Sequence, residues 1–335
     1  MQAINLTAIG LEHLEMVDLD TPAPGAHEVL IRFEAASVNP RDLQILTGQF
    51  TPEVPLPLVP LSDGAGIVEA VGEGVERVAV GDRVTPTFFP NWLHGEALGE
   101  ERAISSGLEA PGVLREYGVY HEDAVVRAAP HLTAHEAACL PCAGLTAWSA
   151  LVDRSNIKAG NTVLVQGTGG VALAALQIAK ALGAKVIIIS SSDERLERAA
   201  YLGADHGINY ARTPEWGPLA REMSGVGVDA VVDIGGAGTI QNSLAAIRHG
   251  GHINIIGYVA GIEMDITVLP LIIRNANLHG IGTGNRDSYE AYMDFIGEHI
   301  LRPEIHERFP MGNVRQALTQ LGEGGHMGKL TVSIS

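Results

Sequence analysis

The feature that most constrains this chain is a glycine-rich turn between an apolar strand and an Ala-rich helix. The strand is predicted over 161–166 and the helix over 171–182. Gly167 permits a tight turn, Gly169 lets the backbone approach a pyrophosphate, and the helix N-terminus favours negative charge. This context predicts a dinucleotide site formed by Gly167, Thr168, Gly169, Gly170 and Val171. The alternative is an ordinary glycine-rich turn with no ligand.

Strands and helices alternate downstream of this turn. The predicted strands cover 185–189, 228–233 and 252–256, and the predicted helices cover 194–202 and 241–247. Such alternation is typical of an α/β domain in which helices cover both faces of a parallel sheet.

The N-terminal third has a different pattern. Short β-branched runs bounded by Gly or Pro, such as 28–33 and 65–71, predict a partly open antiparallel barrel. A capping box at Thr133 predicts a helix over 135–152, and the chain closes with a predicted strand over 329–334.

The second strand after the glycine turn indicates which dinucleotide is bound. NAD enzymes carry an acidic residue near the end of this strand, where it accepts a hydrogen bond from the ribose 2′-hydroxyl. Here Ser190 stands at that place, followed by Ser191, Ser192 and the cation of Arg195. Hydroxyls and a guanidinium suit a 2′-phosphate, so the sequence favours NADPH over NADH. The alternative is that the serines only cap the next helix.

The charge balance excludes several classes of partner. The chain has 22 Lys+Arg against 39 Asp+Glu, which gives a net charge of −17. Because such a chain repels phosphate backbones and anionic lipid, neither nucleic acid nor a membrane surface is an expected partner. No apolar run is long enough to span a bilayer, no signal peptide is apparent, and two cysteines cannot build a disulfide framework. We expect a cytoplasmic protein.

Several phrases, taken together and in order, resemble a known family. They are 36–42 (Ala-Ser-Val-Asn-Pro-Arg-Asp), 64–72, 80–84, 142–148, 202–205 and the Gly-Lys pair at 328–329. The chain thereby resembles the medium-chain dehydrogenase/reductase superfamily, in its zinc-independent, quinone-oxidoreductase-like branch. The resemblance implies a GroES-like β-barrel catalytic domain over 1–128 and a Rossmann domain with a doubly wound parallel sheet over 129–268. A C-terminal segment over 269–335 would return to the catalytic domain.

The same resemblance implies further cofactor contacts. Tyr210 matches a tyrosine that joins Ser190, Ser192 and Arg195 around the 2′-phosphate in NADPH-dependent members. The residues implied around the nicotinamide are Thr146, Gly235, Ile256, Gly257 and Thr283. Lys329 is implied to reach the cofactor, and the alternative is a solvated lysine at the start of a strand.

The resemblance also bears on a metal. The three places that hold catalytic zinc ligands in zinc-dependent relatives are occupied here by Asn39, Ser62 and Cys142, with Asp63 as the acidic neighbour. A catalytic zinc needs three protein donors, so we expect no zinc. Cys139 and Cys142 form a C-x-x-C pair, which is interpreted as buried packing rather than a redox dithiol.

Without a metal, side chains must stabilise the oxyanion formed by hydride transfer. The candidates are Asn39, Gln44 and Ser62. Asn39 is the first choice because it can donate to a carbonyl or quinone oxygen, although a turn residue before Pro40 is an equal alternative. Asp42 is expected to anchor the loop rather than to transfer protons.

The substrate side is expected to be apolar. Phe88, Phe89 and Trp92 form an aromatic run in a chain with only 5% aromatic residues, and Tyr258 is a further candidate wall. A local hydrophobic anchor for a long loop is the alternative.

Three functions remain open at this point. The first is an NADPH-dependent, zinc-free oxidoreductase acting on a carbonyl, quinone or activated alkene. The second is an alcohol dehydrogenase running in the oxidative direction, and the third is a non-catalytic NADPH-binding sensor or structural protein. Gln44 replaces a tyrosine common in quinone-reductase relatives, which weakens the quinone assignment. The family resemblance further implies a homodimer paired through the strand near 278–281.

Overall fold

A computed structural model describes residues 1–51 and 53–334 of the chain; Pro52 and Ser335, the latter in the predicted C-terminal segment, lie outside the described residues. The chain divides into two compact units, Met1–Leu145 with Gly284–Ser335 and Thr146–Thr283. These borders differ from the predicted ones at 128/129 and 268/269. The difference arises because the helix after Thr133 packs on the strands of the first unit, and the chain re-enters that unit only at Gly284.

The regular elements are given in chain order. The strands are β1 (Gln2–Leu6), β2 (Leu14–Asp18), β3 (Glu28–Ser37), β4 (Asp63–Val71), β5 (Arg83–Pro86), β6 (Tyr117–His121), β7 (Val125–Arg127), β8 (Thr162–Gln166), β9 (Lys185–Ser190), β10 (His206–Asn209), β11 (Val228–Asp233), β12 (Ile247–Ile255), β13 (Asn277–Gly280), β14 (Ile305–Pro310) and β15 (Lys329–Ser333). The α-helices are α1 (Pro40–Leu46), α2 (Ala134–Ala137), α3 (Leu145–Trp148), α4 (Gly170–Ala181), α5 (Asp193–Tyr201), α6 (Trp216–Ser224), α7 (Ile240–Ala246), α8 (Val268–Arg274), α9 (Arg286–His299) and α10 (Val314–Glu323).

The Thr146–Thr283 unit is built on a parallel sheet in the order β10-β9-β8-β11-β12-β13. The central strands carry buried apolar residues in their middles, and Leu164, Ile188 and Val231 are fully buried. Burial on both faces is what the alternating pattern predicts, so the doubly wound Rossmann sheet is confirmed.

The first unit carries a second sheet in the order β14-β15-β3-β4-β5-β7, with β6 paired to β3. Its pairings are antiparallel except for β14 with β15. Phe33, Val68 and Val332 are fully buried in its core. The predicted GroES-like domain is confirmed.

The predicted helix over 135–152 is interrupted. The Thr133 capping box is present and starts α2, but π-helical turns at Leu140–Gly144 and Ser149–Arg154 flank α3. Pro141 lacks an N–H and its ring clashes with the carbonyl four residues earlier, so a regular α-helix cannot pass through it.

Helix α1 was not expected in the N-terminal third. Its signal is present in the sequence, because Pro40 stands at the first helical position and Asp42 accepts a hydrogen bond from the Asn39 amide at 2.8 Å. In the described residues no helix combines the length and the apolar character that crossing a membrane requires.

Candidate active site

In the Thr146–Thr283 unit, the carboxyl ends of the parallel strands gather most of the residues predicted to bind the cofactor. The glycine turn follows β8, Ser190 ends β9 and Tyr210 follows β10. Gly235, Ile256 and Thr283 come after β11, β12 and β13. Because parallel strands end at the same edge of a sheet, these residues share the edge at which Rossmann folds bind nucleotides.

The glycine turn has the geometry that a pyrophosphate needs. Gly167 has a φ of +76°, which a residue with a Cβ rarely adopts. A Cβ on Gly167 or Gly169 would meet no atom within 4 Å, so open space lies beside both. Helix α4 starts at Gly170 without a side-chain cap, which leaves amides of its first turn available to an anion.

The end of β9 forms a cluster of hydroxyls and one guanidinium. Ser190 Oγ accepts from the Ser192 amide at 3.3 Å, and Ser192 Oγ accepts from the Arg195 amide at 3.3 Å. The Arg195 guanidinium donates to Ser191 Oγ at 3.0 Å. Ser192 therefore caps α5, as the alternative interpretation expects, and the same segment presents hydroxyls beside a cation.

The acidic neighbour Asp193 is neutralised locally. Its carboxylate pairs with Arg212 and accepts from Asn209 Nδ2 at 2.9 Å, and these contacts lower its pKa, the Asn209 hydrogen bond most. The Tyr210 amide donates to the Ser190 carbonyl at 3.1 Å, and its side chain is exposed. Because Asp193 pairs with Arg212, it does not neutralise the positive charge of Arg195, which is left to attract an anionic ligand.

The remaining predicted cofactor residues lie on well-braced loops. Gln166 Oε1 accepts from the Gly235 amide at 3.1 Å, and the Asp233 carbonyl accepts from the Ile256 amide at 2.8 Å. Gly257 follows Ile256 directly. Thr146, at the start of the unit, and Thr283, at its end with a φ of +60°, are both buried.

A second group of polar side chains is buried in the first unit. It comprises Asn39, Asp42, Ser62, Asp63 and Lys329, and we refer to it as the Asn39 cluster. All five are at most 6% exposed. Burying so many polar groups without hydrogen bonds would be costly, so their partners define what the cluster can do.

Lys329 sets the orientation of the Asn39 amide. Its Nζ donates to Asn39 Oδ1 at 2.5 Å and to the Val38 carbonyl at 2.7 Å. An ammonium only donates, so the Asn39 carbonyl oxygen faces Lys329 and the amino group points elsewhere. That Nδ2 is buried and has no hydrogen-bond partner of good geometry in the described part of the chain. The alternative of a solvated lysine is wrong, because Lys329 is 6% exposed.

Asp63 forms the opposite side of the cluster. Its Oδ1 accepts from Ser62 Oγ at 2.7 Å and its Oδ2 accepts from the Cys142 amide at 3.1 Å. Burial raises the pKa of Asp63, while the Lys329 charge opposes that rise. Ser62 Oγ donates to Asp63, and Asn39 Nδ2 lies close enough to the same carboxylate to lower its pKa, without a hydrogen bond of good geometry. Of the two predicted catalytic residues in this cluster, Asn39 therefore has the more weakly engaged donor. Gln44 is half-buried on α1 and is not one of the five residues.

A zinc ion does not fit this cluster. The three ligand places hold an amide, a hydroxyl and a thiol, and burial raises the pKa of Cys142, which disfavours the thiolate that metals bind. No three His, Cys, Asp or Glu side chains converge on a metal position within residues 1–51 and 53–334. Burial likewise raises the pKa of Cys139 to about 12, so the C-x-x-C pair has no reactive thiolate.

Phe88, Phe89 and Trp92 pack together as an aromatic cluster in the same unit. The two Phe rings meet edge to face with centroids 4.8 Å apart, and Cys142 packs against the group. Cys142 therefore joins the aromatic cluster to Asp63. Tyr258 is not a member, because it belongs to the other unit, where it is exposed.

The sequence interpretation missed the part of Lys329 and Asp63 in one cluster. Nothing local signals it, because Lys329 and Asn39 are 290 residues apart in the chain. The available signal was indirect: a lysine opening an apolar strand, and an aspartate just before a β-branched run.

Two family descriptions cover most of the chain. Residues 25–133 match the alcohol dehydrogenase GroES-like domain, and residues 170–298 match the zinc-binding dehydrogenase domain.

Individual relatives match over nearly the whole length. A zinc-type alcohol dehydrogenase-like protein of Schizosaccharomyces pombe is 39% identical over 97% of this chain and 96% of its own. The quinone oxidoreductase of Homo sapiens is 27% identical over 93% and 91%. A solved structure of a putative alcohol dehydrogenase from Sinorhizobium meliloti 1021 is 40% identical, covers 99% and 98% of the two chains and superposes with a TM-score of 0.93.

Proposed function

Because the chain belongs to the medium-chain dehydrogenase/reductase superfamily and is an oxidoreductase, we propose that it is an NADPH-dependent, zinc-free reductase of the carbonyl group of an apolar substrate. Bound NADPH supplies the hydride. The residues of the chain bind that nucleotide, orient the substrate oxygen and stabilise the charge that develops on it.

The observation that carries this proposal is that the buried Nδ2 of Asn39 makes no hydrogen bond of good geometry, its nearest acceptor being the Asp63 carboxylate. A buried amide donor that is poorly satisfied costs free energy unless a ligand completes it. Lys329 fixes the amide so that this donor, and not the carbonyl oxygen, is presented. A hydrogen bond from Nδ2 to the substrate oxygen would strengthen as negative charge develops there, which is the electrostatic task that a zinc performs in other enzymes.

Lys329 contributes charge as well as orientation. Its ammonium has three N–H groups, of which two are assigned to Val38 O and Asn39 Oδ1. The positive charge lies next to the amide that would hold the oxyanion, in a buried environment where electrostatic effects are large.

Support for NADPH comes from the end of β9. Ser190 stands where NAD enzymes have an acidic residue. The positive charge of Arg195 is not offset by Asp193, because Asp193 is paired with Arg212. A 2′-phosphate would accept charge-assisted hydrogen bonds from Arg195 and the adjacent hydroxyls. The neutral 2′-hydroxyl of NADH would form no ion pair with Arg195.

The names of relatives favour carbonyl chemistry over the alternatives. Those that are 39 and 40% identical carry alcohol dehydrogenase names, whereas the quinone oxidoreductase is 27% identical. An alcohol oxidation would pass through the same transition state in reverse, so the geometry of the site does not separate it from carbonyl reduction. The ratio of turnover with NADP to turnover with NAD separates the two functions.

We propose that two copies pair through β13. This strand lies at the edge of the parallel sheet and has unpaired backbone groups on one side. The preceding helix α8 exposes Val268, Leu269, Ile272 and Ile273, each at least 60%. A contiguous exposed aliphatic face beside an open edge is typical of an interface between copies.

The test is turnover of cinnamaldehyde, which contains both a carbonyl and a conjugated alkene. Protein treated with EDTA and freed of metal, as verified by elemental analysis, is mixed with NADPH, and the product is identified. We expect cinnamyl alcohol, with the rate unchanged by added zinc.

The other outcomes each remove part of the proposal. The saturated aldehyde would assign alkene reduction instead. Activity that appears only with added zinc would overturn the metal-free mechanism. Tight NADPH binding without turnover on this substrate and on a quinone panel would favour the non-catalytic reading.

A further inference from the structure

Two arginines flank the aromatic cluster. The Arg41 guanidinium lies 4.9 Å from the centroid of Phe88, and that of Arg102 lies 4.9 Å from Phe89 and 5.5 Å from Trp92. Arg41 also lies 5.4 Å from Phe50. The predicted apolar substrate wall therefore carries two positive charges.

Neither guanidinium is matched by an acid. No carboxylate lies within 4.0 Å of Arg41 or Arg102 in the part of the chain that the structure describes, whereas many other arginines are paired, such as Arg83 with Glu34 and Arg286 with Asp123. The chain has 39 acidic residues against 22 basic ones, and two cations without an ion pair nevertheless lie on one small cluster.

Arg41 has donors to spare. It donates to the Ser106 carbonyl at 3.2 Å and to Ser105 Oγ. The carboxylate of Glu109 is bonded to Ser105 and reaches Arg41 only through that hydroxyl. Since a guanidinium has five N–H groups, three are left for a ligand.

Arg41 is also close to the proposed reaction site. It follows Asn39 by two residues, and its charge lowers the pKa of Asp42 and Cys142, against the larger effect of burial. Cys142 contacts both the aromatic cluster and Asp63. Arg41, the aromatic rings and the Asn39 cluster are thus linked by one continuous set of contacts in the first unit.

We propose that the substrate carries a carboxylate in addition to its reducible carbonyl, separated from it by a flat apolar body, and that Arg41 binds this carboxylate with Arg102 assisting. This inference rests on the proposed function and specifies its substrate class. The rings of the aromatic cluster accommodate the apolar body, and the guanidinium fork matches the two oxygens of a carboxylate.

The test compares 4-carboxybenzaldehyde with 4-carbamoylbenzaldehyde, which has nearly the same shape but no charge. With NADPH, we expect kcat/KM to favour the carboxylate by roughly ten- to a hundredfold, since a hydrogen bond to a charged group has that effect. The preference should fall as salt is added, because Arg102 is exposed.

Variants assign the preference to residues. Arg41→Met is expected to bring the ratio of the two substrates close to one, and Arg102→Met to reduce it less. Arg127→Met removes an exposed arginine of β7 and should leave the ratio unchanged. If Arg41→Met does not fold, Arg102→Met and the salt dependence of the wild-type ratio still test the inference.

A binding experiment separates this inference from the proposed function. Calorimetry with benzoate and benzamide needs no turnover. Preferential binding of benzoate that is lost in Arg41→Met, without aldehyde reduction, would retain the anion site and overturn the carbonyl assignment. Reduction of both aldehydes at equal rates, or a preference that survives loss of both arginines, would overturn the anion site and retain the reductase.

Discussion

Lys329 Nζ lies 2.5 Å from Asn39 Oδ1, and both residues are buried. The contact joins the start of β15 to the residue before α1, and it decides which end of the Asn39 amide is available to a substrate. A cation on a strand therefore fixes the orientation of a side chain on a distant loop.

Replacing Asn39 should remove the oxyanion donor. We expect Asn39→Ala to lower kcat/KM by about 10²- to 10³-fold, the usual effect of losing one such hydrogen bond. The dissociation constant of NADPH should change little, because all of the predicted nucleotide residues except Lys329 lie in the other unit. Steady-state kinetics and a fluorescence titration measure the two quantities.

A matched control for that variant is Asn313→Ala. Asn313 precedes α10, is exposed and makes no side-chain cap. It should keep wild-type activity. Full activity in Asn39→Ala would remove Asn39 from the mechanism.

Lys329 acts as a positioning residue, so its effect should depend on Asn39. Lys329→Met is expected to lower kcat strongly, and the double variant with Asn39→Ala should be no worse than the worse single variant. Lys329→Arg should recover part of the activity because it retains a donor and a charge. Independent, additive losses would contradict the coupling; melting temperatures show whether each variant is folded.

Arg195 should control nucleotide choice. Arg195→Met is expected to raise KM for NADPH roughly ten- to a hundredfold and to leave KM for NADH unchanged, since only the 2′-phosphate is lost as a partner. Arg198→Met, one turn further along α5, is the control. An equal effect on both nucleotides would show that Arg195 does not recognise the phosphate.

Asp42 should make folding stability depend on pH. Burial raises its pKa from 3.8 to about 6, so the folded state binds this proton more tightly than the unfolded state. The destabilisation from the buried charge is complete above pH 6 and is relieved as the pH falls from about 6 towards 3.8.

Asp42→Asn tests this sign. The difference between the two pKa values corresponds to at most about 3 kcal/mol, offset by a weaker hydrogen bond to the Asn39 amide. We expect the variant to be more stable relative to wild type at pH 8 than at pH 4. The free energy of unfolding of the variant minus that of wild type should therefore be larger at pH 8. Urea titrations at the two pH values measure it, and the opposite order would be inconsistent with a raised pKa.

The exposed face of α8 should support the dimer. Ile272→Glu places a charge in the middle of that face and is expected to give monomers by light scattering. Val226→Glu alters a side chain of the same unit with the same 69% exposure and should have no effect. A monomeric wild-type protein would remove the proposed interface.

The sequence predicts the parallel sheet well because its determinants are local. Gly167, the apolar strands and Gly183 at the end of α4 each specify their own conformation. The end of β9 could also be anticipated, because Ser190 and Arg195 are close together in the sequence. Two features were not predicted, for different reasons. Pro141 is a local helix breaker whose effect was outweighed by the apolar periodicity around it. The burial of Lys329, by contrast, depends on strands formed at the other end of the chain.

The first unit is assembled from two stretches of chain that are separated by the whole of the other unit. During synthesis, the nucleotide-binding unit is complete while Asn39 still lacks its lysine. A chain that stops before β15 lacks Lys329 and therefore has no cation to orient the Asn39 amide. On the proposed mechanism, the oxyanion donor is in place only once the last strand has been added.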